Sequence, residues 1–583
     1  MKYPTLNVQK SSRDMVEVFK GYNHNLRINN GEFFDMKNMT SDFYPILAPR
    51  GKRGVFLEDI HGEIISKEYL CYVKEGGFYI AKDRITSVVF PDLTAGRKQL
   101  ISMGAYVIIM PDKKWVNTVT LESGDIDQVN TSQEDVSFEL CTITGDTYSG
   151  ATVASKAPEE PKDMDLWIDT SSVPHTLKRY SGTSEMWVAI ATTYVKISSK
   201  WIGYGLKQYD GVTISGIKNE ALQSLNGSHV LWGAGNDYII VTGIIDVVAN
   251  QTVADGAITV ERKMPEMDFV IESENRLWGC RYGEANNGQM VNEIYASKLG
   301  DFKNWECYMS LSTDSYRASC GTDGPFTGAI THLGYPLFFK ENYVHKVYGN
   351  YPANFQIQTT ACRGVQKGSH RSLAIVNETL FYKSRGAVCA YDGSLPVEVS
   401  YALGNQQYTA AVAGSHGNKY YICMSDGTGS WHLFVYDVAK GMWHKEDNLH
   451  VDCFCSHKEE MYAVEHDTGN IITLLSSKQQ PEGRVKWMAQ TGPIGTDMPD
   501  MKYISRLTIR MSMDAGTMLR VLVQYDSMGA WENLCTMTSA NLRSFSIPIR
   551  PRRCDHLRLR IEGEGDARIY SITKTIEQGS DIS

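Results

Sequence analysis

Residues 419–447 read KYYICMSDGTGSWHLFVYDVAKGMWHKED. KYYICM and WHLFVYD are rich in aromatic and branched residues, and a loop of Ser, Asp, Gly and Thr separates them. VYD then turns through AKG into Trp443. Short apolar runs bounded by such residues form antiparallel hairpins, and the closing tryptophan stands where a packing aromatic belongs. The same texture returns in TGAITHLGYPLFFKENYVHKVYG (327–349), RSLAIVNETLFYKSRGAVCAYDG (371–393) and VDCFCSHKEEMYAVEHDTGNIITLL (451–475). A recurrence of about 40 to 50 residues is the size of a four-stranded propeller blade, and radial closure buries the faces of each blade against its neighbours. Residues 275–308, with RLWGCRY and NEIYASKL around a Gly/Asn loop, belong to the same series.

Working outward, GEIISKEYLCYVKEG, GGFYIAKDRITSVVF, QLISMGAYVIIM and KKWVNTVTL are further strand-like runs. Helical periodicity is confined to a short piece at residues 32–39 and to NEALQSLN at 219–226. Between residues 134 and 205 the texture changes: a Pro-rich acidic loop, PEEPKDMD, precedes three short strands in DLWIDTSSVPHTLKRYSGTSEMWVAIATTYVKI. After QQPEGRV, at least six runs alternate polar and apolar residues, as antiparallel sheets with one wet face do. The expected fold class is all-β: a β-propeller with an inserted small β domain and a C-terminal β-sandwich. The expected divisions are an N-terminal arm and docking segment (1–55), the first part of the propeller (56–133), the inserted domain (134–205), the rest of the propeller (206–479) and the sandwich (480–583).

Charge and motifs narrow the function. The 583 residues carry a net charge of -9, from 67 acidic against 58 basic side chains. That sign argues against a general nucleic-acid binder, whose surface must offset phosphate charge. The densest basic run, IRPRRCDHLRLR at 549–560, reads as a strand with one wet face. Its arginines, Arg558 and Arg560 among them, either make salt bridges between subunits or solubilise the sheet. The twelve cysteines are scattered singly through apolar runs, the usage of small buried side chains in a reducing compartment. Cys453, Cys455 and His457 form CFCSH, but the spacing matches no zinc knuckle, and one sheet face carrying both cysteines is the plainer account. GxSxG, HExxH and GxxxxGK[ST] do not occur, and Asp268, Glu272 and Glu274 form no distinctive carboxylate set. The expectation is therefore a chain that is not an enzyme, with no cofactor and no metal. The N-terminus lacks a signal-peptide core, and no apolar run approaches the roughly 20 residues that cross a bilayer, which points to synthesis and folding in the cytoplasm.

Residues 21–53, GYNHNLRINNGEFFDMKNMTSDFYPILAPRGKR, resemble the start of virion proteins of tailed bacteriophages, with a DMxNM-type centre and a PR-containing end. LGYPLFFKENYVHKVYG at 333–349 is similar to strands of tail nozzle (tail tubular protein B-like) and head-completion or stabilisation proteins of short-tailed phages. The resemblance implies a structural virion protein at a tail or head–tail interface, made in the bacterial host cytoplasm. It implies a homo-oligomeric ring, a hexamer in the nozzle proteins, that closes the DNA channel and passes double-stranded DNA on ejection. An adaptor or portal-side connector would be its partner, with no membrane-spanning segment. Interface candidates are Phe33, Phe34, Asp35, Met36, Asn38, Tyr44, Arg50 and Arg53 in the N-terminal segment, with Arg558 and Arg560. The alternative reading is a tail-associated host-receptor or glycan-binding β-propeller protein, which exposed aromatic pockets would mark.

Overall fold

In the computed structural model the hairpin at 419–447 forms as its residues dictate. It describes residues 11–82, 85–90, 92–245, 249–285, 288–476, 480–497, 501–549 and 552–578. Strands Lys419–Ser425 and Trp431–Asp437 pair antiparallel, and Met442–Lys445 follows after a turn that Gly441 closes at φ 64°. The Asp426 carboxylate closes the intervening loop by accepting from the amides of Thr428 (2.8 Å) and Ser430 (3.3 Å). Trp443 is 2 % exposed, and its indole N–H donates to the Val399 carbonyl at 2.8 Å.

The chain divides into two compact units, residues 1–98, 338–344 and 359–583 in one and residues 99–337 and 345–358 in the other. The first is built on a 12-stranded sheet. Its order runs Ser11–Val16, Ala567–Gln578, Lys502–Tyr525, Leu557–Glu564, Lys486–Thr491, Glu32–Lys37, Gly21–Tyr22, Met442–Lys445, Trp431–Asp437, Lys419–Ser425 and Ala410–His416, with Glu532–Ile547 paired to Lys502–Tyr525. Smaller open sheets accompany it. One runs Ile85–Phe90, Gly77–Lys82, Leu70–Lys74, Ile64–Ser66; another runs Val451–His457, Glu460–Glu465, Ile471–Thr473, Gly54–Leu57. Phe33, Met36, Phe434, Trp443, Trp487, Ile509 and Val521 lie in one buried cluster, so N-terminal, middle and C-terminal segments share a core.

The second unit is again a set of open, mainly antiparallel sheets, among them Gln99–Met103 to Ser123–Asp125 and Phe269–Ser273 to Tyr316–Ser319. Residues 219–226 form a 3-10 helix, Glu220–Leu225, capped by the Asn219 side chain and burying Leu222 and Leu225. Arg262 and Asp210 form a buried ion pair at 2.6 Å, with side chains 6 % and 0 % exposed. No helix among the described residues is long and apolar enough to cross a membrane.

Four expectations are corrected. Among the described residues no sheet closes into a barrel or propeller; the strands form separate open sheets, antiparallel except for the pairs Gly21–Tyr22 with Glu32–Lys37 and Thr152–Ala154 with Leu166–Asp169. The hairpin at 419–447 is no self-contained blade, because its last strand pairs onward to Gly21–Tyr22 and through it to Glu32–Lys37. The C-terminal strands are one continuous arrangement within the same sheet rather than a separate sandwich: Lys502–Tyr525 pairs with Ala567–Gln578 along its first half and with Leu557–Glu564 along its second. Residues 32–37 are a strand, since Phe33 and Met36 meet a core from the sheet and backbone pairing with Lys486–Thr491 replaces a helical turn.

A buried ionic knot fastens residues 50–53. The Arg53 guanidinium reaches Glu446 at 2.5 Å and Asp447 at 2.8 Å, and Arg50 pairs with Glu482 and with Asp447 at 3.5 Å. Burial opposes the charge on Asp447, but the two arginines outweigh it and hold the carboxyl below its ordinary range. Folding thus favours the ionised carboxylate. Its contribution is complete above the unfolded pKa and fades as pH falls through the lower folded value, below about pH 4. Removing one partner strands buried charge, so Arg53→Met is expected to cost about 3–5 kcal/mol near pH 7. The deficit in Tm against the parent should narrow on acidification, as protonation relieves the abandoned carboxylates. A deficit that widens in acid would contradict the assignment.

Candidate functional site

In the first unit, a cavity of about 540 Å³ is lined by residues 59–63, 73–76 and 93–98 together with Asp452. Local rules build its walls. Asp59 and His61 adopt left-handed backbone (φ 54° and 49°), tied by the Asp59 amide donating to Asn470 Oδ1 at 3.0 Å and the Ile60 amide to the Gly469 carbonyl at 2.8 Å. Gly62 allows the closest approach: a Cβ there would stand 1.8 Å from the Val73 carbonyl oxygen. The Val73 amide in turn donates to the Glu63 carbonyl at 2.9 Å.

Most charged groups of the wall are paired. Arg371 donates from Nη2 to Glu63 Oε1 at 2.5 Å and from Nη1 to the Asp452 carbonyl at 2.9 Å. Burial works against the Arg371 charge, yet Glu63 more than restores it and the pKa is raised. Asp59 faces His61 Nε2 at 3.3 Å and Lys74 Nζ at 3.5 Å. Arg97 Nη2 donates to Asp452 Oδ1 at 2.5 Å, and Lys98 Nζ to Thr94 Oγ1 at 2.8 Å.

Asp452 owes its place to an irregularity in strand Val451–His457. Its ladder with Glu460–Glu465 shifts register between Val451 and Cys453, a β-bulge. Val451 packs with Tyr421, Leu433 and Val435, whereas Cys453 packs with Ile60, Ile64 and Tyr72, so the phase of the strand reverses and Asp452 is the extra residue. Beside it, His466 Nδ1 lies 3.0 Å from both Asp452 oxygens. The His450 and His466 rings are 3.9 Å apart, and Trp431 stacks on His450 at 4.1 Å with 12° between planes. Burial, then the neighbouring His466, pushes the His450 pKa down. One ligand atom from each of His450, Asp452 and His466 lies within 4.8 Å of the others.

This group corrects the expectation of a chain that is not an enzyme. Two imidazoles and a carboxylate are an acid–base and metal-ligating set of the kind hydrolytic sites use. Sequence inspection passed over it, because its three residues are split by a hairpin and aligned only through the bulge. CFCSH drew attention one position away: Cys453 and Cys455 face one side, burial pushes the Cys455 thiol up to about 12, and His457 pairs with Ser66 Oγ at 2.9 Å.

None of the ten interface candidates lines the cavity. Phe33 and Met36 are each 1 % exposed in the core, and Asn38 accepts from Arg50 Nε at 2.9 Å while donating to the Lys486 carbonyl at 2.8 Å. Arg50 and Arg53 belong to the ionic knot. Phe34 packs between the His24 ring (4.3 Å) and the Arg558 guanidinium (5.4 Å), and Asp35 lies 3.5 Å from Lys445 Nζ. Arg560 bonds Gln490 at 2.6 Å and covers the Trp531 ring at 4.2 Å. Tyr44 stays half-exposed beside Lys440. In the second unit, Trp201 and Tyr204 are more than half exposed and meet edge to face at 5.4 Å, with Trp201 at φ 61° and its amide donating to Asp237 Oδ1 at 2.9 Å.

No protein-family model and no curated protein matches the chain. Solved structures that match include a glycoside hydrolase (11% identity, TM-score 0.21, 52% of this chain and 96% of that one). Others are an exo-beta-1,3-galactanase from Phanerochaete chrysosporium (8%, TM-score 0.20, 52% and 94%) and the phage phi92 endosialidase (10%, TM-score 0.25, 80% and 76%). At these TM-scores the likeness carries no argument about activity. None of the three is described as a nozzle, connector or channel protein. The expected DNA-passing ring, with its hexameric assembly, adaptor partner and virion location, is not borne out: no family model or curated protein matches, and no solved structure named above is of that kind.

Because Gly62 lies against a main-chain carbonyl, Gly62→Ala is expected to lower stability by about 1–3 kcal/mol and to raise amide exchange across residues 59–63. Gly51→Ala, with open space around its Cα, should leave both unchanged. Equal effects of the two changes would contradict the packing described.

Proposed function

We propose that this protein recognises carbohydrate and that the polar cavity of the first unit holds part of the glycan. The observation that carries the reading is the pairing of charge around the wall: Glu63 with Arg371, Asp452 with Arg97, and Asp59 with Lys74 and His61. Such a lining offers alternating acceptors and donors with little net field. A polyhydroxyl ligand, each of whose hydroxyls both donates and accepts, meets it better than a phosphate or an apolar molecule. The volume lies within the range of about 300–1,000 Å³ common to small-ligand pockets. The exposed Trp201–Tyr204 pair supplies a second surface of the kind on which sugar faces pack.

The test is a glycan array on the full chain, followed by calorimetry on the glycans retained. Asp59→Asn, which keeps a residue suited to the left-handed backbone, and Lys74→Met should each weaken binding by about tenfold, about 1.4 kcal/mol, without lowering Tm. Trp201→Ala reports whether the aromatic pair adds to the same affinity. An array without retained glycans, or affinity indifferent to both cavity variants, would overturn the reading.

A further inference from the structure

We infer that His450, Asp452 and His466 form a binding site for a divalent transition-metal ion, zinc being the expected occupant. The inference is independent of the glycan reading. It starts from the backbone. Val451 pairs with Glu465, and one step beyond, the His466 amide donates to the His450 carbonyl at 2.9 Å, so the two histidines stand opposite one another at the end of the hairpin. Their rings are 3.9 Å apart. The bulge at Asp452 releases that residue from the alternation of the strand and adds a carboxylate beside the two imidazoles. All three ligand atoms fall within 4.8 Å of one another, close enough for a single ion to bind each after small side-chain rotations.

The supporting residues suit a metal centre. Trp431, stacked on His450, restricts the orientation of that ring. Two nitrogens and one oxygen form a borderline ligand set that favours Zn²⁺, Co²⁺, Ni²⁺ or Cu²⁺ over Ca²⁺ and Mg²⁺, which take oxygen ligands. Three protein ligands leave coordination positions open, and Asp452 belongs to the cavity wall, so water or a ligand in the cavity has access to that end of the site.

Arg97 sharpens the inference. Its guanidinium holds Asp452 Oδ1 at 2.5 Å, yet its side chain is 61 % exposed and free to swing into solvent. A cation and Arg97 compete for the same carboxylate. Loss of Arg97 should therefore tighten metal binding, an effect that adventitious coordination by surface histidines would not produce.

The experiment is titration of the chelator-treated full chain with Zn²⁺ by calorimetry and with Co²⁺ by visible absorption, in the absence of any glycan. The expected result is one site with Kd of roughly 1–10 µM and ligand-field bands of nitrogen/oxygen coordination. His450→Ala, Asp452→Asn and His466→Gln should each weaken it by about 10–100-fold, and Arg97→Gln should strengthen it by several-fold. His466 is the most exposed of the three ligands, so His466→Gln tests the site with the least disturbance of packing, and circular dichroism confirms that each variant is folded. No saturable binding, or binding that survives His466→Gln and Asp452→Asn unchanged, overturns the inference.

Discussion

The first unit depends on a buried exchange of charge between residues distant in the chain. Arg50 and Arg53 enter from the end of the N-terminal segment, Glu446 and Asp447 from the hairpin that closes at Trp443, and Glu482 from the approach to the C-terminal strands. Guanidinium groups tolerate such burial because planar, delocalised charge meets carboxylates along several donors at once. Apolar packing in the shared core supplies bulk stability but little direction. The ionic knot is directional, and it fixes which segments meet.

That constraint bears on the site. With residues 50–53 held, strand Gly54–Leu57 joins the edge of the sheet containing Val451–His457, and the loop at 59–63 follows directly. Glu63 is then within reach of Arg371, which also binds the Asp452 carbonyl and so links one wall of the cavity to the other. The bulge adds the last element by freeing Asp452 from both apolar clusters. A polar cavity beside a ring stack of Trp431, His450 and His466 therefore arises from sheet edges and one misregistered residue, with no catalytic motif in the chain.

Several features were legible in the chain. Alternating and aromatic-rich runs bounded by Gly, Asp and Asn marked the hairpins, as in Lys419–Ser425 and Trp431–Asp437, and NEALQSLN carried its own cap in Asn219. Residues 32–37 were misread as helical because an isolated FFDM has no strong period, and its partner strand Lys486–Thr491 lies over 400 residues away. The propeller was inferred from repeat spacing. Spacing reports the length of a hairpin unit and carries no information on whether successive sheets close into a ring.

What the sequence determined by itself was local: strand content, turn positions, buried cysteines and the near absence of helix. Each depends on side chains a few residues apart, whose period and backbone preferences are written in consecutive letters. Only the tertiary structure decided which strands share a sheet, that the terminal strands merge with the hairpin at 410–445, and that His450, Asp452 and His466 converge. Strand pairing is made by main-chain amides and carbonyls that nearly every residue carries, so long-range pairing leaves little trace in residue identity. A one-residue bulge leaves still less, yet it decides which way a carboxylate faces.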